Sequence, residues 1–189
     1  MAKRIRPISI VSGVNVEQSD QIFAVNGPLG RLELKIHPSI TIKVENNNIL
    51  VTEKKPDSMV YVGTAQSHIK NMIKGTTQGF GKILEVRGTG YRVQKTKEGI
   101  QVFVGFSHPV DFLIPKGITA DLKQIPNPDD TKTQMTEVTL KGCDKQLVGE
   151  IAAKLRDIKH PDVYKGKGIR YKGEYVRKKA GKRAIAAQT

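Results

Sequence analysis

Short runs of alternating apolar and polar residues dominate the first half of the chain. The run from Arg31 to Ile36 is apolar at every second position, and the run from Ile40 to Val44 repeats this period. A period of two places successive side chains on opposite faces of a strand. We therefore predict strands here and at residues 14–16, 22–25 and 49–51, bounded by polar turns.

Two segments change to a helical period. The first helix has apolar residues on one stripe, at Ala65, Ile69, Met72 and Ile73. Gly75 is its expected C-terminal stop. A second helix should begin near Asp144 and end before Pro161. Its expected buried positions are Leu147, Val148, Ile151, Leu155 and Ile158.

The second half of the chain repeats the order of elements found in the first. Strand-like runs are expected at 84–86, 91–93, 100–104, 112–114 and 138–140. Ile8–Val16 matches Phe112–Ala120 in the spacing of its apolar residues and glycine, and Phe23–Gly27 matches Val138–Gly142. The offset grows between the two matches, and the loop Asn127–Asp130 supplies a suitable insertion. We interpret the matches as an internal duplication; the alternative is chance similarity between two β-rich halves.

These elements predict an α+β fold with two duplicated small domains. Each domain is expected to be an antiparallel sheet with one helix packed on its face. The predicted boundaries are 1–82 and 83–189, and the second domain carries a basic C-terminal arm at about 161–189. A domain of about 80 residues is small but able to fold alone.

The positive charge lies at the two ends of the chain. The net charge is +14 and the isoelectric point is near 9.9. Residues 1–6 hold three basic residues, residues 7–163 hold 20 basic and 17 acidic residues, and residues 164–189 hold nine basic residues and one acid, Glu174. Nine minus one leaves +8 in the last segment. Such a field indicates a partner rich in phosphate or anionic lipid.

Few other features suggest a membrane, a disulfide or catalysis. Cys143 is the only cysteine, and no run reaches the roughly 20 apolar residues of a spanning helix, so we expect a soluble intracellular protein. The histidines share no metal-ligand spacing; they are His37, His68, His108 and His160. Gly88–Gly90 lacks the third glycine of a dinucleotide fingerprint, because Val93 stands there. We expect no catalytic residue, no metal and no cofactor, and a structural role for the thiol.

The segment from Pro161 to Arg183 interleaves cations, tyrosines and glycines. Its closely spaced cations and aromatic residues are Lys165, Lys167, Arg170, Lys172, Tyr164, Tyr171 and Tyr175. Cations neutralise phosphates, tyrosines stack on bases, and glycines allow close approach to another surface. With few apolar residues, the segment is expected not to bury itself but to become ordered on a partner.

The same segment resembles the bacterial form of the L-six family of large-subunit ribosomal proteins. The resemblance rests on Pro161–Ile169, continues through Arg170–Lys182, and extends to Gly105–Val110, Lys141–Gln146 and Gly63–Phe80. It covers essentially the whole chain. The one departure is a slightly longer loop at residues 127–133, which leaves the local path open.

The resemblance implies a structural, non-enzymatic protein of the cytoplasmic ribosome. It implies binding to large-subunit rRNA near the sarcin–ricin loop, beside other ribosomal proteins of the stalk base and close to translational GTPases. The implied rRNA contacts are Lys165, Lys167, Arg170, Tyr171, Lys172, Arg177, Lys178, Lys179 and Lys182. We expect the arm to clamp RNA segments that phosphate repulsion holds apart.

Two other classes of protein share this basic charge. An RNA-modifying or hydrolytic enzyme would need a catalytic cluster, and the sequence offers none. A protein of anionic membrane surfaces would need an amphipathic helix with a basic face. The second helix instead mixes Glu150 and Asp157 with Lys154 and Arg156.

Overall fold

A computed structural model describes residues 7–19, 21–45, 47–54, 58–127 and 130–179, and only the backbone of 130–133. The described chain forms two compact units. The first unit comprises Met1–Phe80 with Cys143–Lys145, and the second comprises Gly81–Gly142 with Gln146–Thr189, in each case for the described residues.

The first unit contains six strands and one helix among its described residues. They are β1 Ile8–Ser9, β2 Asn15–Gln18, β3 Ile22–Gly27, β4 Gly30–Lys35, β5 Ile40–Glu45, β6 Asn48–Glu53 and α1 Met59–Thr77. The strands form two antiparallel sheets with the orders β2-β3-β4 and β1-β6-β5. The predicted alternation is confirmed, because Ile40 and Ile42 of β5 are buried against Ile69 and Ile73 of α1.

The predicted helix stop at Gly75 is wrong, because α1 continues to Thr77. A Cβ atom at Gly75 would lie 2.0 Å from the carbonyl oxygen of Cys143. Glycine is therefore required inside the helix for close packing rather than for termination. The left-handed residue that follows the helix is Gly79, with a φ of +74°.

The second unit contains seven strands and one helix among its described residues. They are β7 Phe80–Arg87, β8 Arg92–Lys95, β9 Gly99–Phe103, β10 Val110–Leu113, β11 Ile118–Asn127, β12 Asp130–Gly142, α2 Lys145–Asp157 and β13 Gly168–Tyr171. The sheet orders are β10-β9-β8 and β11-β12-β7-β13. Three strands differ most from the prediction, because β12 begins before the predicted 138–140 and both β11 and β13 were not predicted. The first half of β11 does alternate between buried and exposed residues. Asn127 and Asp130, which were expected in a loop, are paired strand ends. Residues 128 and 129 of the expected loop lie outside the described residues.

The α+β class is confirmed for both units. In place of a single sheet, each unit divides its strands between two sheets, and one helix accompanies them. The buried stripe of α2 contains Val148, Ile151 and Leu155, as its period predicted. These side chains share a core with Leu84 of β7 and Ile169 of β13.

Candidate nucleic-acid interface

The first part of the C-terminal arm is a strand of the second unit's four-stranded sheet. β13 pairs antiparallel with β7, so that Ile169 lies opposite Val86 and Tyr171 opposite Leu84. Ile169 is 0% exposed. The expectation that this segment cannot bury itself is therefore wrong for Gly168–Tyr171. One buried apolar side chain, Ile169, is enough to hold β13 on the second unit. This is because β7 supplies backbone hydrogen bonds and the existing core supplies apolar neighbours.

The residues before β13 form a closed turn around Asp162. The backbone N–H of Asp162 donates to the carbonyl of Lys167 at 2.8 Å, and that of Gly166 donates to the carbonyl of Asp162 at 2.9 Å. The carboxylate of Asp162 accepts the Lys165 N–H at 3.1 Å, and this hydrogen bond lowers the pKa of Asp162. The turn leaves Tyr164 and Lys165 exposed.

The glycines of the arm serve the fold of the chain itself. A Cβ atom at Gly168, whose φ is +146°, would lie 2.6 Å from the His160 carbonyl oxygen. At Gly166 a Cβ atom would lie 3.2 Å from Cε of Lys178, whose side chain passes nearby. Gly173 has a φ of +83° in the turn that follows β13. From the sequence we expected these glycines to allow close approach to another surface. In the structure, Gly166 and Gly168 instead allow the close approach of other parts of the same chain, namely Lys178 of the arm and His160 of the α2–β13 connection.

Two of the nine predicted contacts are paired with buried carboxylates. Nε of Arg170 lies 3.2 Å from Oε2 of Glu85, and Nζ of Lys172 lies 2.8 Å from Oε1 of Glu137. The side chain of Arg170 is only 12% exposed. The pKa of Lys172 is raised by its hydrogen bond to Glu137. A phosphate at either cation would have to compete with a carboxylate already in place.

Glu85 is the centre of a buried charge cluster on β7. Its Oε2 also accepts hydrogen bonds from Arg87, at 2.7 Å from Nη2 and 3.0 Å from Nε. Glu85 and Arg87 are both nearly inaccessible. The cluster links the root of the arm to β7, because one carboxylate oxygen receives guanidinium groups from both strands.

A second charged contact joins the arm to α2. Nη2 of Arg156 lies 2.6 Å from Oε1 of Glu174, and its Nε donates to Oε2 at 3.3 Å. Oε2 also accepts the backbone N–H of Tyr171 at 3.0 Å. The Arg156 hydrogen bond is the main cause that lowers the pKa of Glu174, and the same bond raises the pKa of Arg156.

The later part of the arm runs back beside the turn around Asp162. The backbone N–H of Lys179 donates to the carbonyl of Val163 at 2.8 Å. This return brings Arg177, Lys178 and Lys179 to the same part of the second unit as Lys165. The predicted contact Lys182 lies outside the described residues.

Several predicted cations lack a carboxylate partner in the described part of the chain. No ion pair to an acid is made there by Lys165, Lys167, Arg177 or Lys179. Lys167 donates a hydrogen bond to the hydroxyl of Thr89, which leaves its charge unneutralised. Thr89 lies in the Gly88–Gly90 turn between β7 and β8, and sequence reasoning did not connect it with the arm.

The three tyrosines of the arm differ in accessibility. Tyr171 packs against the core, and Lys82 and Arg156 lie 5.7 and 5.9 Å from its ring centroid. By contrast, Tyr164 is 58% and Tyr175 88% exposed. The interleaved pattern had singled out all three tyrosines, but only Tyr171 was included among the implied contacts. The two exposed rings are better placed to stack on bases.

The described ranges contain no candidate metal cluster, and their one cysteine has a hydrogen-bonded thiol. No group of three or more His, Cys, Asp or Glu residues that could hold a metal ion is found there. The thiol of Cys143 donates to the carbonyl of Leu29 at 2.9 Å, which fits a structural role. Neither described helix has the length and apolar character needed to cross a bilayer.

Comparisons with known proteins point to one family. The family model described as Ribosomal protein L6 matches residues 10–79 and 87–172, one segment in each half of the chain. A protein of Halalkalibacterium halodurans is 43% identical over 180 residues, which cover 94% of this chain and 95% of that protein. One of Hahella chejuensis is 42% identical over 179 residues, covering 94% and 96%. Both are named large ribosomal subunit protein uL6.

Proposed function

Because this chain belongs to the ribosomal protein L6 family, we propose that it binds large-subunit rRNA through two parts of its arm. They are the turn at residues 162–167 and the return segment at residues 174–179. As a member of that family it is a structural, non-enzymatic component of the large ribosomal subunit. In bacteria its location is therefore the ribosome in the cytoplasm.

The observation that carries the proposal is a group of cations on a folded support, of which Lys165, Lys167, Arg177 and Lys179 make no ion pair to an acid among the described residues. We give the name arm surface to one partly exposed residue, Lys167, together with six exposed residues: Lys165, Arg177, Lys178, Lys179, Tyr164 and Tyr175. The turn around Asp162 and the hydrogen bond from Lys179 to Val163 hold its two segments together. Cations fixed on one surface neutralise phosphates without first paying for ordering of the chain.

The other predicted contacts that the structure describes support the arm surface rather than bind RNA directly. Arg170, Lys172 and Tyr171 are held by Glu85, Glu137 and the core, so we propose that they mainly support the arm surface. Lys182 stays a predicted contact. Most contacts should be made to phosphate and sugar, which fix position rather than read sequence.

The place of the protein within the subunit is a further part of the proposal. We propose that the arm surface meets rRNA near the sarcin–ricin loop, beside neighbouring ribosomal proteins of the stalk base and the docking region of translational GTPases. This location rests on the family resemblance. Cleavage of the rRNA by hydroxyl radicals generated at residue 164 would map it, and cuts confined to distant helices would contradict it.

The arm surface is tested by comparing two double variants with equal loss of charge. Lys165→Ala/Lys167→Ala removes two cations of the arm surface, and Lys43→Ala/Lys70→Ala removes two exposed lysines of the first unit. Filter binding to a large-subunit rRNA transcript should show about tenfold weaker binding for the first double variant and little change for the second.

The salt dependence gives an independent measure of the same contacts. If four to six phosphates are neutralised, the log–log slope of affinity against salt should be roughly −3 to −5 for the wild-type protein. The arm variant should make it less negative by roughly 1.5–2. Equal affinities and slopes for the two double variants would refute the assignment of the arm surface.

A further inference from the structure

We infer that Glu174 is a positioning residue for RNA binding. Its ion pair with Arg156, here called the clasp, holds the arm against α2 and so fixes the arrangement of the arm surface. The inference rests on the proposed function. Glu174 is the one acid among residues 164–189, in a stretch with nine basic residues. A carboxylate there should weaken attraction to phosphate, so its presence calls for a role other than direct contact.

The contacts of Glu174 point to such a role. Its two carboxylate oxygens lie 2.6 and 3.3 Å from Nη2 and Nε of Arg156, and both side chains are about three-quarters buried, with 28% and 24% exposure. Paired contacts of this kind set direction as well as distance. The carboxylate is also bound by the N–H of Tyr171, at the end of β13. One side chain therefore joins α2, β13 and the start of the return segment.

The backbone around Glu174 reverses the chain. The N–H of Glu174 donates to the carbonyl of Tyr171 at 3.0 Å, and Gly173 has a positive φ in this turn. Five residues later, Lys179 donates to the carbonyl of Val163. The clasp thus sets the direction in which Arg177 and Lys179 return toward Lys165. Without it, the return segment would have to be ordered when RNA binds, which weakens affinity.

An electrostatic role and a positioning role of Glu174 predict opposite changes in RNA affinity for one substitution. Glu174→Gln raises the net charge by one, so a purely electrostatic arm would bind RNA more tightly. Loss of the clasp should instead weaken binding to a large-subunit rRNA transcript by about 3- to 10-fold. The matched control is Glu150→Gln, which changes the charge equally and breaks the exposed pair with Lys154 on the same helix. This control should bind as well as wild type or slightly better.

A double variant removes the charge difference altogether. Arg156→Gln/Glu174→Gln has the net charge of the wild type but no ion pair between these positions. It should bind more weakly than wild type, and no more weakly than the weaker single variant, because both residues act through one contact. Wild-type affinity in this double variant would overturn the inference.

Hydrogen exchange separates loss of the clasp from unfolding. In Glu174→Gln the Lys179 amide should lose protection, while the Ile169 amide, which donates to the carbonyl of Lys159, should keep it. If the Ile169 amide also loses protection, the variant Arg156→Lys tests the inference instead. This variant keeps the positive charge but cannot form the bidentate contact with Glu174. Weaker binding by that variant supports the inference, and unchanged binding overturns it.

The two proposals fail in different ways. If the wild-type protein does not bind the transcript, the proposed function fails. If the wild type binds and Glu174→Gln binds as tightly as Glu150→Gln or more so, only the positioning role is lost.

Discussion

The two units both bury hydrophobic cores, but they place their charged side chains differently. In the first unit, Arg31 makes ion pairs with Glu17 and Glu33, and all three side chains are more than half exposed. In the second unit, Glu85 and Glu137 are buried beneath cations that the arm contributes. Among the described residues, every charged residue classed as buried belongs to the second unit.

The difference shows how a basic extension can be attached to a small domain. Burying a carboxylate is costly unless paired and hydrogen-bonded cations accompany it. Glu85 and Glu137 thereby favour the conformation in which β13 brings Arg170 and Lys172 to the sheet. Among the described residues of the first unit, no strand brings cations onto buried carboxylates as β13 does in the second unit. In the second unit, charge therefore contributes to the fold and also to the surface proposed for RNA.

The largest expected effect is that of removing the central buried acid. Glu85→Ala leaves Arg87 and Arg170 without this carboxylate in a nearly inaccessible site, and should lower the free energy of unfolding by about 3 kcal/mol or more. Glu17→Ala, which removes an exposed partner of Arg31, should cost less than about 1 kcal/mol. Urea unfolding of the two variants measures the contrast. Equal, small losses would mean that the two units use charge in the same way.

A smaller loss is expected from crowding the turn that leads into β13. Gly168→Ala introduces a Cβ atom 2.6 Å from the His160 carbonyl oxygen at a positive φ, and should cost about 2–3 kcal/mol. Gly149→Ala is the control, because a Cβ there meets nothing within 4 Å and helix propensity favours alanine by up to about 1 kcal/mol. Thermal unfolding should move in opposite directions for the two variants. A shift in the same direction would contradict the close approach at Gly168.

The smallest expected effect concerns the pH dependence of the clasp. The folded state lowers the pKa of Glu174, so the Arg156–Glu174 pair stabilises the fold above the ordinary pKa of a glutamate. That contribution is lost as the pH falls through the lower pKa of the folded protein. At neutral pH the free energy of unfolding of the wild type should exceed that of Glu174→Gln by about 0.5–1 kcal/mol. This difference should become smaller in acid. Denaturant unfolding over this range checks it; a difference independent of pH would exclude ionisation of Glu174 as its source.

The sequence by itself determined most of the local elements, the duplication and the position of the charge. Alternating residues predicted β4 and β5, and the apolar stripes of α1 and α2 are buried as expected. Hydrophobic periodicity reports these features because it depends on neighbours a few residues away. The motif that begins at Pro161 also carried the resemblance to the family that the comparisons show.

Only the tertiary structure decided which residues of the arm belong to the fold. Arg170 meets a carboxylate 85 positions earlier in the chain, and Ile169 enters a core built by other elements. Likewise, Gly75 stays helical because Cys143 lies against it. No local pattern encodes such contacts, since each depends on how distant segments pack. For the same reason, equal positive charges in the sequence become supporting residues at one position and accessible cations at another.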